Sequence, residues 1–232
     1  MLSCAEAFRG DGEIMVSPMG AVPKRAALLA RATFAPDILL TDGIAGLVCE
    51  DGLEGWMPYR RVFETLWAGR RHVMMGASQI DAHGNQNLAA IGDWRQPKAQ
   101  LLGLRGAPGN LVNHVTSYWV PNHSTRSFVP AVDVVSGPGY DRVSELSRFI
   151  RDNHEIRRVV SNLGVFDFAN DEQRMQVVSV HPGTTVDEVV DATGFELLVA
   201  DEVPETRLPT DEELRLIREV IDADGLRRAE FR

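Results

Sequence analysis

Apolar positions along the chain fall in short unbroken runs rather than in alternation. The runs are EIMVSP (13–18), DILLTDG (37–43), RHVMMGA (71–77), FVPAVDVVSG (128–137) and RRVVSN (157–162), and most close on Gly, Asp or Asn. A strand with one wet face alternates apolar and polar residues. A run without a polar face is buried on both sides, as where helices cover both faces of a parallel sheet. Between the runs, PKRAALLARATF (23–34) and PYRRVFETLWAG (58–69) space their apolar residues helically with Arg opposite, and the second ends in a C-cap glycine. Thr185 with Glu188, and Thr210 with Glu213, match the capping box and predict two more helix starts. The helix from the second would run over 211–226 and bury a Leu/Ile/Val stripe. The pattern predicts an α/β fold with an open, mostly parallel sheet flanked by helices. With neither internal repeat nor linker, the expectation is a single domain over 1–232 with a C-terminal helical extension.

Composition narrows the chemistry. The 232 residues are 44% hydrophobic, ample for a buried core, and carry a formal charge of −9 with scattered Lys and Arg. Phosphate backbones call for a clustered positive field, so nucleic acid is not an expected partner. Two cysteines, Cys4 and Cys49, are too few for a disulfide framework or a thiolate metal site. With no signal-like leader and no apolar stretch near the ~18 residues needed to span a bilayer, the expectation is a cytoplasmic protein off the membrane. The six histidines, at 72, 83, 114, 123, 154 and 181, show no i, i+4 pair, so no metal site is expected. His72 and His154 stand beside arginines and are expected to be solvated. The motifs of dinucleotide, P-loop, zinc-protease and serine-hydrolase chemistry are absent.

Strand ends remain. Open parallel sheets bind ligands beyond the carboxyl ends of their strands, where glycine lets backbone approach a substrate. Three stretches fit: LLTDGIAG (39–46), MMGASQIDAHGNQN (74–87) and LLGLRGAPGN (101–110). The last two hold Gly-Ala pairs whose N–H groups could face a developing oxyanion, as acyl or enolate chemistry requires. Each glycine could equally serve only a tight turn.

MMGASQIDAHGNQN resembles the signature of the β subunits of class I CoA-transferases, and HPGTTVDEVVDATGF (181–195) resembles a later stretch of the same family. The likeness runs from about residue 35 onward. It is nearer to the branch whose members open a steroid ring carried as a CoA thioester, through FAPDILLTDG (34–43), EGWMPYRRVFE (54–64), RGAPGN (105–110), TSYWVPNH (116–123), VDVVSGPGYD (132–141), VVSNLGVFDF (159–168) and TRLPTDEELRLIREVID (206–222). The transferases attack acyl-CoA with a β-subunit glutamate at a strand end. The matching position here is Asp42, within Leu40, Thr41, Asp42 and Gly43, and aspartate is one methylene too short to be a good nucleophile there. Glu50 is the other nucleophile candidate.

Without a nucleophile, the resemblance implies hydrolysis. Water adds at a ring ketone, a carbon–carbon bond breaks beside the thioester, and the general acid/base glutamate comes from an α subunit. The implied partner makes an αβ heterodimer or an α2β2 heterotetramer, and no cofactor is implied beyond the coenzyme A in the substrate. Gly106 matches the family's oxyanion-hole glycine, and Gly76 and Ala77 open the signature turn. Gln79, Asp81 and Asn85 are expected to hold that turn's own backbone. For the substrate carboxylate, Arg105 and Arg126 are candidates. His114 and His123 are candidate donors to the ring ketone, Asn110 and Asp42 further substrate contacts, and Tyr118 and Trp119 packing residues. Two alternatives stay open: a true transferase β subunit, and a non-catalytic scaffold.

Overall fold

A doubly buried strand needs a neighbour on each side, and the first apolar runs supply them. The computed structural model describes residues 1–41, 46–49, 52–56 and 70–231. These form two compact units, Met1–Met75 with Arg207–Arg232, and Gly76–Thr206.

In the first unit, β1 (Met15–Pro18) is buried throughout and pairs in parallel with β2 (Leu39–Thr41) and with β5 (Arg71–Met75), itself buried at all five positions. β3 (Gly46–Cys49) and β4 (Gly52–Trp56) continue antiparallel, giving the order β5-β1-β2-β3-β4 within the unit. The crossover from β1 to β2 is the helix Ala21–Thr33, which buries Val22, Ala26, Ala27, Leu29 and Ala30. It ends just before Pro36, whose ring disfavours helical backbone at the preceding residue. The helix expected over 58–69 lies outside the described residues.

His72 corrects the expectation of a solvated ring. It sits in β5 opposite Val16, fully buried, with Nδ1 2.7 Å from the buried Asp11 carboxylate and Phe8 edge-on at 4.8 Å. Asp11 and Phe8 cover the face of β5 that carries the ring, so it is out of water whatever its sequence neighbour.

The capping box at Thr210 forms as expected: Thr210 Oγ1 accepts from Glu213 N–H at 3.2 Å, and Glu213 accepts from Thr210 N–H at 2.8 Å. One regular helical segment, Asp211–Arg215, follows, and then the backbone widens to i→i+5 turns over Leu216–Ile221. Of the expected stripe only Ile217 is buried, while Val220 and Leu226 are exposed; the segment packs on helix Ala21–Thr33, where Asp222 takes Arg25 and Arg227 together. The Glu230 carboxylate accepts from Ala21 and Val22 N–H, capping a helix that has no acidic residue in its first turn.

In the second unit, β10 (Val115–Val120) and β11 (Glu155–Ser161) are parallel, and β12 (Gly164–Asp167) and β13 (Gln176–Val180) continue antiparallel. Tyr118 and Trp119 are core residues. His154, also expected in solvent, is buried; its Nδ1–H donates to Leu111 O at 2.6 Å and its ring meets Tyr140 edge-on. Thr185 caps helix Val186–Asp191 through the second expected box.

The strand expected over 128–137 is absent. Only isolated bridges occur there, Ile80 to Phe128 and Gln86 to Gly137. Pro130 interrupts the donors, and the segment spends its polar groups on residues 79–92 instead. No helix among the described residues is long and apolar enough to cross a membrane.

Candidate active site

The signature stretch folds as a pair of two-residue strands, β6 (Gln79–Ile80) and β7 (Gln86–Asn87), around a polar turn. Asp81 builds it. Its Oδ1 accepts from the N–H groups of His83 and Asn85, both at 3.0 Å, and Asn85 Nδ2 donates to Oδ2 at 3.0 Å. Burial nonetheless raises the Asp81 pKa, against these donors and with Asp141 adding to the rise. Gly84 takes φ +84°, and a Cβ there would stand 2.6 Å from Ile156 Cδ1. Asn85 reaches outward, accepting Gly139 N–H at 2.8 Å and donating to Asp141 at 2.9 Å.

The flanks are tied as firmly. Gln79 and Asp133 clamp each other, Nε2 to Oδ2 and Asp133 N–H to Oε1, both at 3.0 Å. Asn87 donates to Gln79 Oε1 and Ala90 O, both at 2.7 Å, and Ser136 Oγ accepts Leu88 N–H at 2.6 Å. Gln86 Nε2 donates to Gly76 O at 3.1 Å, and Ser78 N–H to Asn87 O at 3.1 Å. Gln79, Asp81 and Asn85 therefore hold backbone, as the sequence implied, and Gly76 and Ala77 open a turn fixed from several directions.

The third glycine-rich stretch joins this one. Leu101 and Gly103 donate to the carbonyls of Ala89 and Leu88 at 2.8 and 2.9 Å, just past the turn. Gly106 is buried between a tight turn, Gly103–Arg105, and the helix Ala107–Asn113; its N–H faces Gly103 O at a long 3.4 Å. Asn110 is buried on that helix, its N–H on Gly106 O at 3.1 Å. His114 is buried just past the helix end, its N–H on Asn110 O at 2.9 Å. The Arg105 side chain, Asp42 and Glu50 lie outside what the structure describes. Arg126 is exposed in a serine-braced turn, where Ser127 Oγ donates to Asn122 O at 2.6 Å.

His123 is elsewhere, in the core of the unit. It stacks on Phe128 at 3.6 Å between centroids, with Nδ1 2.9 Å from Ser161 Oγ and Nε2 2.9 Å from Thr193 Oγ1. Thr193 gives its own proton to Val189 O at 2.7 Å, so the proton between Thr193 and the ring sits on Nε2, and Nδ1 accepts from Ser161. Neither ring nitrogen is left for a substrate ketone, which corrects the assignment of His123 as a donor.

Burial pushes the His123 pKa down from 6.5 to about 4. The unfolded ring takes up a proton that the folded ring refuses, so stability is full above pH ~6.5, falls as pH drops toward 4, and is level below. A loss of about 3 kcal/mol is expected from this group. Urea midpoints between pH 7.5 and 4.5 measure it, and His123→Asn should flatten the slope; an unchanged slope would put the proton uptake elsewhere.

Sequence reasoning passes over Asp133, Ser136 and Gly139. The Gly-Pro-Gly at 137–139 was the available signal, masked by the apolar residues before it. Among the described residues no cluster of side chains could hold a metal ion.

The chain thus carries a locked glycine-rich turn directly after the carboxyl end of β5, the place where open α/β sheets take their ligands. Residues 62–192 match the Coenzyme A transferase family, and the chain belongs to that family. It is 54% identical over 244 residues, covering 100% of this chain and 96% of the relative, to the cholesterol ring-cleaving hydrolase IpdB subunit of Mycobacterium tuberculosis. The crystal structure of Rhodococcus jostii RHA1 IpdAB has a chain 51% identical, with a TM-score of 0.92 over 99% of this chain and 95% of that one. Glutaconate coenzyme A-transferase from Acidaminococcus fermentans, at 23% identity and a TM-score of 0.82 over 97% of this chain and 93% of that one, shares the fold.

Proposed function

We propose that this chain is the β subunit of a heteromeric, cytoplasmic hydrolase that opens the last ring of a steroid-derived CoA thioester by cleaving a carbon–carbon bond. The observation that carries the reading is identity above half across the full length with a ring-cleaving hydrolase subunit. The aspartate at position 42, where the transferases place their nucleophilic glutamate, supports it.

Water adds to the ring ketone. The bond between that carbon and the carbon next to the thioester then breaks, and its electron pair passes into the thioester as an enolate. A proton returned to the carbon next to the thioester completes a carboxylic acid and an intact CoA thioester, with no acyl-enzyme. The α subunit supplies the glutamate that moves the protons. This chain supplies the thioester end, with Gly76, Ala77, Gly106 and Asn110 lining it and Arg105 or Arg126 meeting the substrate carboxylate. No cofactor is needed beyond the coenzyme A of the substrate.

The test is mass spectrometry of the co-expressed αβ complex with a ring-bearing CoA thioester, with and without borohydride. The expected product has gained one water and kept its thioester, and the protein stays unlabelled. A reduced or CoA-bearing glutamate on this chain would sink the reading in favour of a transferase.

A further inference from the structure

Among the described residues, three buried side-chain atoms have no hydrogen-bond partner: Gln86 Oε1, Tyr118 Oη and His154 Nε2. We infer that one internal water binds all three and locks the Gln86 amide that holds the Gly76 carbonyl. Buried polar groups in folded proteins are nearly always paired, and an orphan calls for a specific explanation. Gln86 and Tyr118 are fully enclosed and His154 is buried, so bulk solvent does not supply the bonds. Nearby polar side chains find protein partners directly, as Gln79, Asn85, Asn87 and both nitrogens of His123 do.

The three orphans share one neighbourhood. A Cβ at Gly137 would stand 2.2 Å from Leu111 Cδ1 and 3.3 Å from Gln86 Oε1, so both lie against that glycine. Leu111 O in turn accepts from His154 Nδ1 at 2.6 Å. The His154 ring meets Tyr140 edge-on at 4.8 Å. Burial, and then the nearby Tyr140 hydroxyl, raise the Tyr118 pKa well above its usual value, which places Tyr118 beside the same residues.

Their bonding roles also match one water. With its Nδ1–H spent on Leu111 O, His154 presents Nε2 as a bare acceptor, and burial lowers the ring's pKa and keeps it neutral. Gln86 gives Nε2–H to Gly76 O at 3.1 Å, which leaves Oε1 as a second acceptor. Tyr118 brings the only proton, and one proton cannot serve two acceptors. A water donates to both acceptors and accepts from the tyrosine, the usual complement of an internal water. The site matters because Gln86 reaches the signature turn. Its backbone is fixed by Gly137 O and by the N–H groups of Ser136 and Gly137, so its side chain is the part left to move. A bond at Oε1 keeps the amide turned so that Nε2–H meets Gly76 O.

The experiment uses the full chain in its αβ complex, wild type and Tyr118→Phe. A high-resolution crystal structure is expected to show one ordered water within about 3.2 Å of all three atoms. Tyr118→Phe takes one of its bonds and should lower the urea midpoint, whereas deleting a hydroxyl that bonds nothing would leave stability unchanged or raise it. Amide exchange at short labelling times reports local opening. It should quicken about 10-fold across residues 76–87 in Tyr118→Phe and stay as in wild type at β12 and β13. No ordered water at that point, a Tyr118→Phe complex at least as stable as wild type, or unchanged exchange at the turn would each overturn the inference.

Discussion

Gly139→Ala is expected to destabilise the protein by about 4 kcal/mol, at the upper end of single-residue effects. A Cβ at this position would lie 2.4 Å from His83 O, 2.5 Å from Asn85 N and 2.8 Å from Gly84 C. All three are backbone atoms of the signature turn, and none can rotate away as a side-chain end would. The turn has no room to retreat either, since His83 O already accepts Tyr140 N–H at 2.9 Å and Asn85 Oδ1 accepts Gly139 N–H at 2.8 Å. The methyl group must therefore push two backbone segments apart and break the bonds that hold them. Because the same turn fixes Gly76 and Ser78, activity should fall with stability. Urea denaturation of the complex measures the first, with Gly109→Ala as control. Gly109 lies within a helix with nothing within 4 Å of its missing Cβ, so alanine there should be neutral or stabilising by up to about 1 kcal/mol. A loss below about 1 kcal/mol for Gly139→Ala would mean that the two segments can separate freely.

How much of this is readable without coordinates follows from where the information resides. β1, β2, β5 and β11 announce themselves because each is an apolar run closed by a turn residue, and both capping boxes are local patterns of four residues. The strand β10 hides because VTSYWV mixes hydroxyls with aromatics; Thr116 and Ser117 are buried polar residues that a pattern of apolar positions passes over. The segment 128–137 misleads in the opposite sense. Its valines read as a strand, but Asp133 and Ser136 are committed to the turn at 79–92, a partnership more than forty residues away in sequence. Histidines behave the same way. Arginine neighbours suggested solvent for His72 and His154, whereas strand register and a carbonyl of another element decide their burial. At the site, Asp81 and Asn85 were legible as turn builders because their chief bonds are local. The clamp from Asp133, Ser136 and Gly139 was not, since only the folded chain brings residues 133–139 against the turn.

Asn85→Asp should be about as damaging as Gly139→Ala at neutral pH, and its damage should shrink in acid. The Asn85 amide serves two carboxylates at once, donating to Asp81 Oδ2 at 3.0 Å and to Asp141 Oδ1 at 2.9 Å. Aspartate keeps the acceptor for Gly139 N–H but replaces both donations by a third negative oxygen in a buried place. An uncompensated buried charge of this kind costs about 4 kcal/mol. Asp81 is already pushed up by burial, and a new carboxylate at hydrogen-bond distance raises the shared titration further. A carboxyl whose folded pKa lies above its unfolded one binds its proton more tightly in the folded state. The penalty is therefore fully present above the raised pKa and relieved as pH falls through it, when one proton can bridge the pair. This is the reverse of the wild-type trend, in which neutral His123 loses stability on acidification, so the variant must be compared with wild type at each pH. Asn85→Ala removes the two donations without adding charge and should cost about 2 kcal/mol with a shallower dependence on pH. Equal urea midpoints for the two variants at pH 7.5 would mean that the added carboxylate finds water or a cation. The polar centre of the turn would then be open to solvent rather than sealed.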